Sequence, residues 1–315
     1  MFVVCGEALY DLFVAGEDGA TIRFDAHAGG SPFNVAIGLA RLGAEVSLLA
    51  GVSTDFLGTR LMRRLDAEGV GTGLVVRKSG PTTLGLVGVD AHGVPAYAFH
   101  GHGAADRSLD PADLPRLPLG TRAIHVGSFS LVVEPTGTAE LALARGEHGG
   151  AVVSLDPNVR LAVEPDLAVW RRRLGEWLAI ADLVKVSRED LGLLYPDGDP
   201  HRLARDWLAA GARLVVVTDG SAGAFAATRD LTVRVPAVAT TVVDTVGAGD
   251  SFQAALLWRL AVENAMAPAA LATIDEATLR RVLATASAAS SITCSRTGAD
   301  LPTAAEVAAA VAAAG

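Results

Sequence analysis

Apolar residues fall along this chain in two alternating textures. Short, nearly unbroken apolar runs at Met1–Gly6, Val46–Val52, Ala123–Val126, Ala151–Leu155, Ala179–Val186 and Leu214–Val217 predict strands buried on both faces. Between some of them apolar residues recur at helical spacing instead. Gly29 to Leu42 puts Val35, Leu39 and Leu42 on one face, Asp55–Glu68 is a second helix ended by Gly69, and a third follows Pro135. Repeated strand-then-helix order with apolar strands predicts a central, mostly parallel sheet flanked by helices on both faces. Two stretches break that rhythm. Phe13 to Phe24 is too glycine-rich and irregular for a helix and predicts two short strands. Thr82–Val89 and Pro95–His100 alternate around the turn Ala91-His92-Gly93, a hairpin pattern. The tail, Thr303–Gly315, is an alanine-rich helix around Val307 and Val311 that only packs.

Composition narrows the class without naming a chemistry. With 315 residues, half of them hydrophobic, and neither internal repeats nor a linker, the expectation is one α/β domain over 1–315. A formal charge of −9 without any basic run argues against nucleic acid or an anionic membrane as partner. The first residues lack the layout of a signal peptide, and no apolar run reaches membrane-spanning length. The two cysteines, Cys5 and Cys294, read as reduced side chains of a cytoplasmic protein.

The stretch Val243–Leu257 carries the chemistry. A β-branched run, Thr240–Val243, read as strand or loop, ends at Asp244. The small residues Gly247-Ala248-Gly249 follow, then Asp250, then apolar residues at helical spacing. That order leaves unpartnered backbone N–H groups at a helix start with no side chains in the way, which suits an anion. An acid in the first turn also suits an ordinary helix start, but that does not account for the turn before it. Phosphoryl transfer to a hydroxyl needs donors around the phosphate, a base and a cation. Gly247, Ala248 and Gly249 would supply the donors and Asp250 the base. A P-loop is absent, and Phe252 stands where a dinucleotide fold requires glycine or alanine. Asp11 lies just past the first strand, where ligands gather in α/β sheets, and Asn34 can both donate to and accept from sugar hydroxyls.

Two stretches, Gly29-Gly30-Ser31-Pro32-Phe33-Asn34 and Asp244-Thr245-Val246-Gly247-Ala248-Gly249-Asp250-Ser251-Phe252, resemble the two signatures of the ribokinase-like (PfkB) carbohydrate kinase family. The resemblance runs over nearly the whole chain and implies a ribokinase-like fold whose small β lid is inserted at about 12–28 and 82–104. It implies sugar contacts from Asp11, Gly29, Gly30, Asn34, Tyr97, Phe99, Asn158, Arg160 and Asp250. It implies ATP contacts from Lys185, Ser187, Thr218, Gly220, Gly223, Gly247, Gly249 and Ala286, the last in a small-residue wall beside adenine. Asp190, in Ser187-x-x-Asp190, would organise Mg²⁺ through water, although the family has asparagine and glutamate at those two places and Glu189 lies one residue off. Asp244, Val246, Thr293 and Gly298 would surround an activating monovalent cation, K⁺. Gly6–Leu12, Gly29–Ala36, Gly101–Leu109 and Asp156–Arg160 look most like fructokinases. The implied reaction is ATP-dependent phosphorylation of fructose, with a homodimer as the assembly that fits. A 2-keto-3-deoxygluconate kinase is the runner-up, and a catalytically silent sugar-binding regulator is the reading from another class.

Overall fold

A computed structural model describes residues 1–89 and 95–314. Eight strands lie side by side in the order Thr232–Val235, Ala224–Ala227, Leu214–Thr218, Leu183–Ser187, Val152–Asp156, Ala123–Gly127, Phe2–Cys5 and Val46–Leu49. The last six run parallel, and the first two form an antiparallel edge. Strand period two sends Phe2 and Val4 into one core layer and Val3 and Cys5 into the other. Ser31–Arg41, Ala248–Val262 and Glu276–Cys294 pack on the first side, and Leu167–Leu178 and Pro200–Ala210 on the second. This is the ribokinase-like α/β arrangement expected, a mostly parallel sheet with helices on both faces.

A second, four-stranded sheet holds Thr21–Gly29, Leu9–Asp18, Leu84–Val89 and Pro95–His100 in that order. Its first two strands are longer than the short pair expected between Phe13 and Phe24. The glycines that argued for irregularity sit at a bulge, between Val14 and Gly16, and at the tight turn through Gly19. Asp11 therefore stands on a strand of the small sheet and not in a loop. The second hairpin begins at Leu84, and the turn Ala91-His92-Gly93 lies outside the described residues. Asp55 fastens this sheet to the helix Phe56–Ala67: Oδ1 accepts from the Gly58 amide, and Oδ2 accepts from Thr82 N–H at 2.9 Å.

Two other boundaries move for local reasons, and the choice between strand and loop at 240–243 resolves. The run Val46–Val52 divides at Ala50, because Gly51–Ser53 leaves the large sheet to pair with Val76–Lys78. Ala179, taken as the start of a strand, instead caps the helix Leu167–Leu178, and the strand begins at Leu183. Thr240–Val243 is loop, with Val242 and Val243 each 60% exposed.

Candidate active site

The helix Ala248–Val262 begins at Gly247, whose φ of 78° is the left-handed conformation that glycine adopts without strain. A Cβ there would lie 2.7 Å from Ala299 Cβ, so the turn and the loop before Leu301 fit only with a bare backbone. No side chain caps this turn; Ala248 N–H donates to the Thr245 carbonyl at 3.2 Å, which leaves the Gly249 side of the backbone edge for an anion. Further along the helix, Gln253 donates to Ser154 Oγ at 2.9 Å and tethers the helix to the strand Val152–Asp156.

Asp250 is buried beside the turn. Ser31 Oγ donates to its Oδ1 at 2.6 Å, and Asn34 Nδ2 donates to its Oδ2 at 2.8 Å. Burial raises its pKa above the usual aspartate value, while those two bonds and the charges of Arg160 and Lys185 pull it down. Asp11 faces the same space from the small sheet. Burial pushes it up to about 6, against the pull of Arg160 and with a further push from Asp250. Gly29 and Gly85 flank it: a Cβ on either would come within 2.6 Å of an Asp11 carboxylate oxygen. Phe99 lies on the other side of Gly85 and meets Phe129 edge-on at 6.1 Å, with the Arg107 guanidinium over the Phe129 ring. The side chain of Tyr97 lies outside the described residues.

Sheet end and helix starts meet around Lys185. Its Nζ bonds Asp156 Oδ2 at 2.7 Å in the interior, and a Cβ on Gly249 would lie 3.4 Å from it. Burial works against the lysine's charge, but Asp156, Asp190 and Asp250 together hold its pKa above the ordinary value. Burial lifts Asp156 to about 6, so at neutral pH the pair is ionised. Asp190 accepts from Val159 N–H and from Ser187 Oγ, while Glu189 is exposed. Asn158, at φ 40°, and Arg160 follow the end of the strand Val152–Asp156. Thr218 ends the parallel strand Leu214–Thr218, and Gly220 and Gly223 follow in a turn closed by a bond from Asp219 N–H to the Gly223 carbonyl.

Two further groups can be placed. Asp244 accepts from Val246 N–H and from Gly298 N–H, so those residues share one site, and Thr293 borders the Gly247 turn beside it. Ala286, by contrast, is wholly buried in the seam with the helix Ala248–Val262 and has no surface to offer a nucleotide. Small residues at helical spacing serve close packing equally well, and here packing accounts for it. Sequence reasoning did not single out Ser31, Gly85, Asp156 or Phe129. Asp156 stands in the Asp-Pro-Asn-Val-Arg stretch, but its lysine partner lies 29 residues on, and only the pairing of neighbouring strands joins them.

The fold has counterparts among known proteins. A fructokinase from Rhizobium leguminosarum bv. trifolii is 39% identical over 284 residues, 89% of this chain and 86% of that protein. The structure of fructokinase with bound ATP from Xylella fastidiosa superposes with a TM-score of 0.91 at 28% identity, covering 99% of this chain and 98% of that one. A double mutant of Vibrio cholerae O395 fructokinase, bound to fructose, ADP and a potassium ion, gives 0.84 at 26% identity over 98% and 97% of the two chains. The description of the pfkB family carbohydrate kinases matches residues 1–306. With a buried aspartate at a bare helix turn and a second carboxylate facing it from a small sheet, this chain belongs to the pfkB family of carbohydrate kinases.

Proposed function

We propose that this kinase is a fructokinase that moves the γ-phosphoryl of ATP to the 6-hydroxyl of D-fructose. One observation carries the reading: Asp250, at the open Gly247-Ala248-Gly249 turn, shares its space with Asp11 and Asn34, groups suited to neutral hydroxyls. In the reaction Asp250 takes the proton of the attacking hydroxyl, and the turn holds the transferred phosphate with its N–H groups. ATP lies along Lys185, Ser187, Thr218, Gly220 and Gly223. Mg²⁺, when bound, neutralises charge on the phosphates. Asp190 organises its water shell, and the unpartnered Oδ1 of Asp156 is a buried acceptor beside it. K⁺ fits the oxygen donors of Asp244, Val246, Thr293 and Gly298. Turnover is expected to be higher in K⁺ than in a buffer of large organic cations, and an equal rate would remove the cation site. The two free thiols support a cytoplasmic setting.

A sugar acid is the second reading, and Arg107 is the observation that favours it. Its Nε and Nη2 are buried without a partner among the described residues, and its guanidinium sits over Phe129, next to Phe99. A carboxylate needs such a cation when it is enclosed. The test is kcat/KM for D-fructose, 2-keto-3-deoxygluconate and D-ribose under identical conditions. Fructose is expected to lead; preference for the acid would replace this reading with the second.

A further inference from the structure

A serine at the cap of a helix ordinarily bonds an N–H group of the first turn, but Ser31 stands one place past the cap and its hydroxyl is free for another partner. The helix Ser31–Arg41 has Gly30 as its cap and no side-chain capping bond, and the Ser31 hydroxyl reaches instead to Asp250, 219 residues away. The backbone N–H of Ser31 donates to Glu7 Oε1 at 3.2 Å, and Glu7 is itself 1% exposed. Glu7, Ser31 and Asp250 thus form a chain that runs from behind the helix start into the site. Asn34, one turn on, holds the other oxygen of Asp250.

We propose that Ser31 is a positioning residue for phosphoryl transfer: with its backbone N–H held by Glu7, its hydroxyl fixes one oxygen of Asp250 so that the oxygen shared with Asn34 meets the sugar. This rests on the reading of Asp250 as the base. A carboxylate free to rotate would present the acceptor hydroxyl with a range of angles, and loss of alignment lowers the chemical step more than ground-state binding. The charged groups around Asp250 are Asp11 on the small sheet, Arg160 beyond the strand Val152–Asp156, Lys185 and Asp156 on the central sheet, and Glu7 behind Ser31. All remain when the Ser31 hydroxyl is removed.

Ser31→Ala is expected to lower kcat by about 10–100-fold, the size of a hydrogen bond to a charged group, with KM for the sugar changed less than about 3-fold. Because a donor to the charged carboxylate disappears, the acid limb of the kcat profile should move to higher pH. Ser31→Thr keeps the hydroxyl and should recover most of the loss. Should the alanine variant fail to fold, Ser31→Cys, close in size but a weak donor, carries the same comparison. Wild-type kcat with an unmoved acid limb, or a loss confined to KM, overturns the proposal. Asp250→Asn, measured in parallel, is expected to cost about 10²–10⁴ in kcat. Near-normal turnover there would remove the base itself and this proposal with it. Loss there beside an unaffected Ser31→Ala would overturn the positioning role alone.

Discussion

Glu140 is enclosed on the helix Thr136–Glu147, with Ser130 Oγ donating to one carboxylate oxygen and the other unpartnered. Burial lifts its pKa to about 8, and the charge of Glu7, itself lifted to about 7, adds to the rise. Asp106 and Asp156 are pushed up to about 6 in the same way. A carboxyl whose folded pKa exceeds its unfolded value keeps its proton in the folded state while the unfolded chain has lost it. Stability contributed by the neutral form is then present at low pH and is lost as pH rises from about 4.5 to about 8. Thermal midpoints should accordingly fall between pH 5.5 and pH 8.5. Glu140→Gln keeps the acceptor for Ser130 and removes the charge. It should flatten that fall and stabilise the protein at pH 8.5 by roughly 2–4 kcal/mol. Parallel, equally steep curves for the two proteins would show that Glu140 ionises freely in place.

At the scale of elements, the helix Ala248–Val262 does two jobs from its two ends. Its body is packed against the helices Ser31–Arg41 and Glu276–Cys294, and no side chain caps its first turn. Gly247→Ala would combine a left-handed φ with a side chain 2.7 Å from Ala299 Cβ. The helix body should hold while the turn shifts, costing at least about 10² in kcat with a small change in melting temperature. Unaltered turnover would show that the phosphate is held elsewhere. This turn was readable in the sequence because its residue order states its physics: small residues, an acid, then helical spacing. The parallel strands were readable for the same reason, since burial on both faces leaves little but apolar residues. The edge hairpin Ala224–Ala227 and Thr232–Val235 was not, because four-residue strands, the first of them mostly alanine, carry little pattern of their own. Ser31 was invisible as a partner of Asp250 because its purpose is defined by a helix more than two hundred residues away. Ala286 shows the opposite error, a local composition with two equally good physical uses.

Across the whole molecule, the small sheet has two unlike faces. Register places Asp11 opposite His27, so Ile22 and Phe24, at odd offsets from His27, point the other way, and Val14 pairs with Phe24. Val14, Ile22 and Phe24 are 44%, 53% and 39% exposed. An apolar sheet face left in water is a surface that a second copy of this chain would cover in a homodimer. Ile22→Asp with Phe24→Asp should shift sedimentation from dimer to monomer at micromolar concentration, and a wild-type protein that sediments as a monomer ends that reading. The order of residues along the chain also bears on how the enzyme is made. Asp11, Ser31 and Asn34 leave the ribosome early, and the strand Phe2–Cys5 finds its neighbour Ala123–Gly127 only after a long delay. The phosphate turn and its aspartate come last of the working parts, followed by the helix that packs over them. A nascent or truncated chain thus carries Asp11, Ser31 and Asn34 without the Gly247 turn or Asp250, and on the proposed reading it would hold sugar but leave ATP intact until synthesis is nearly complete.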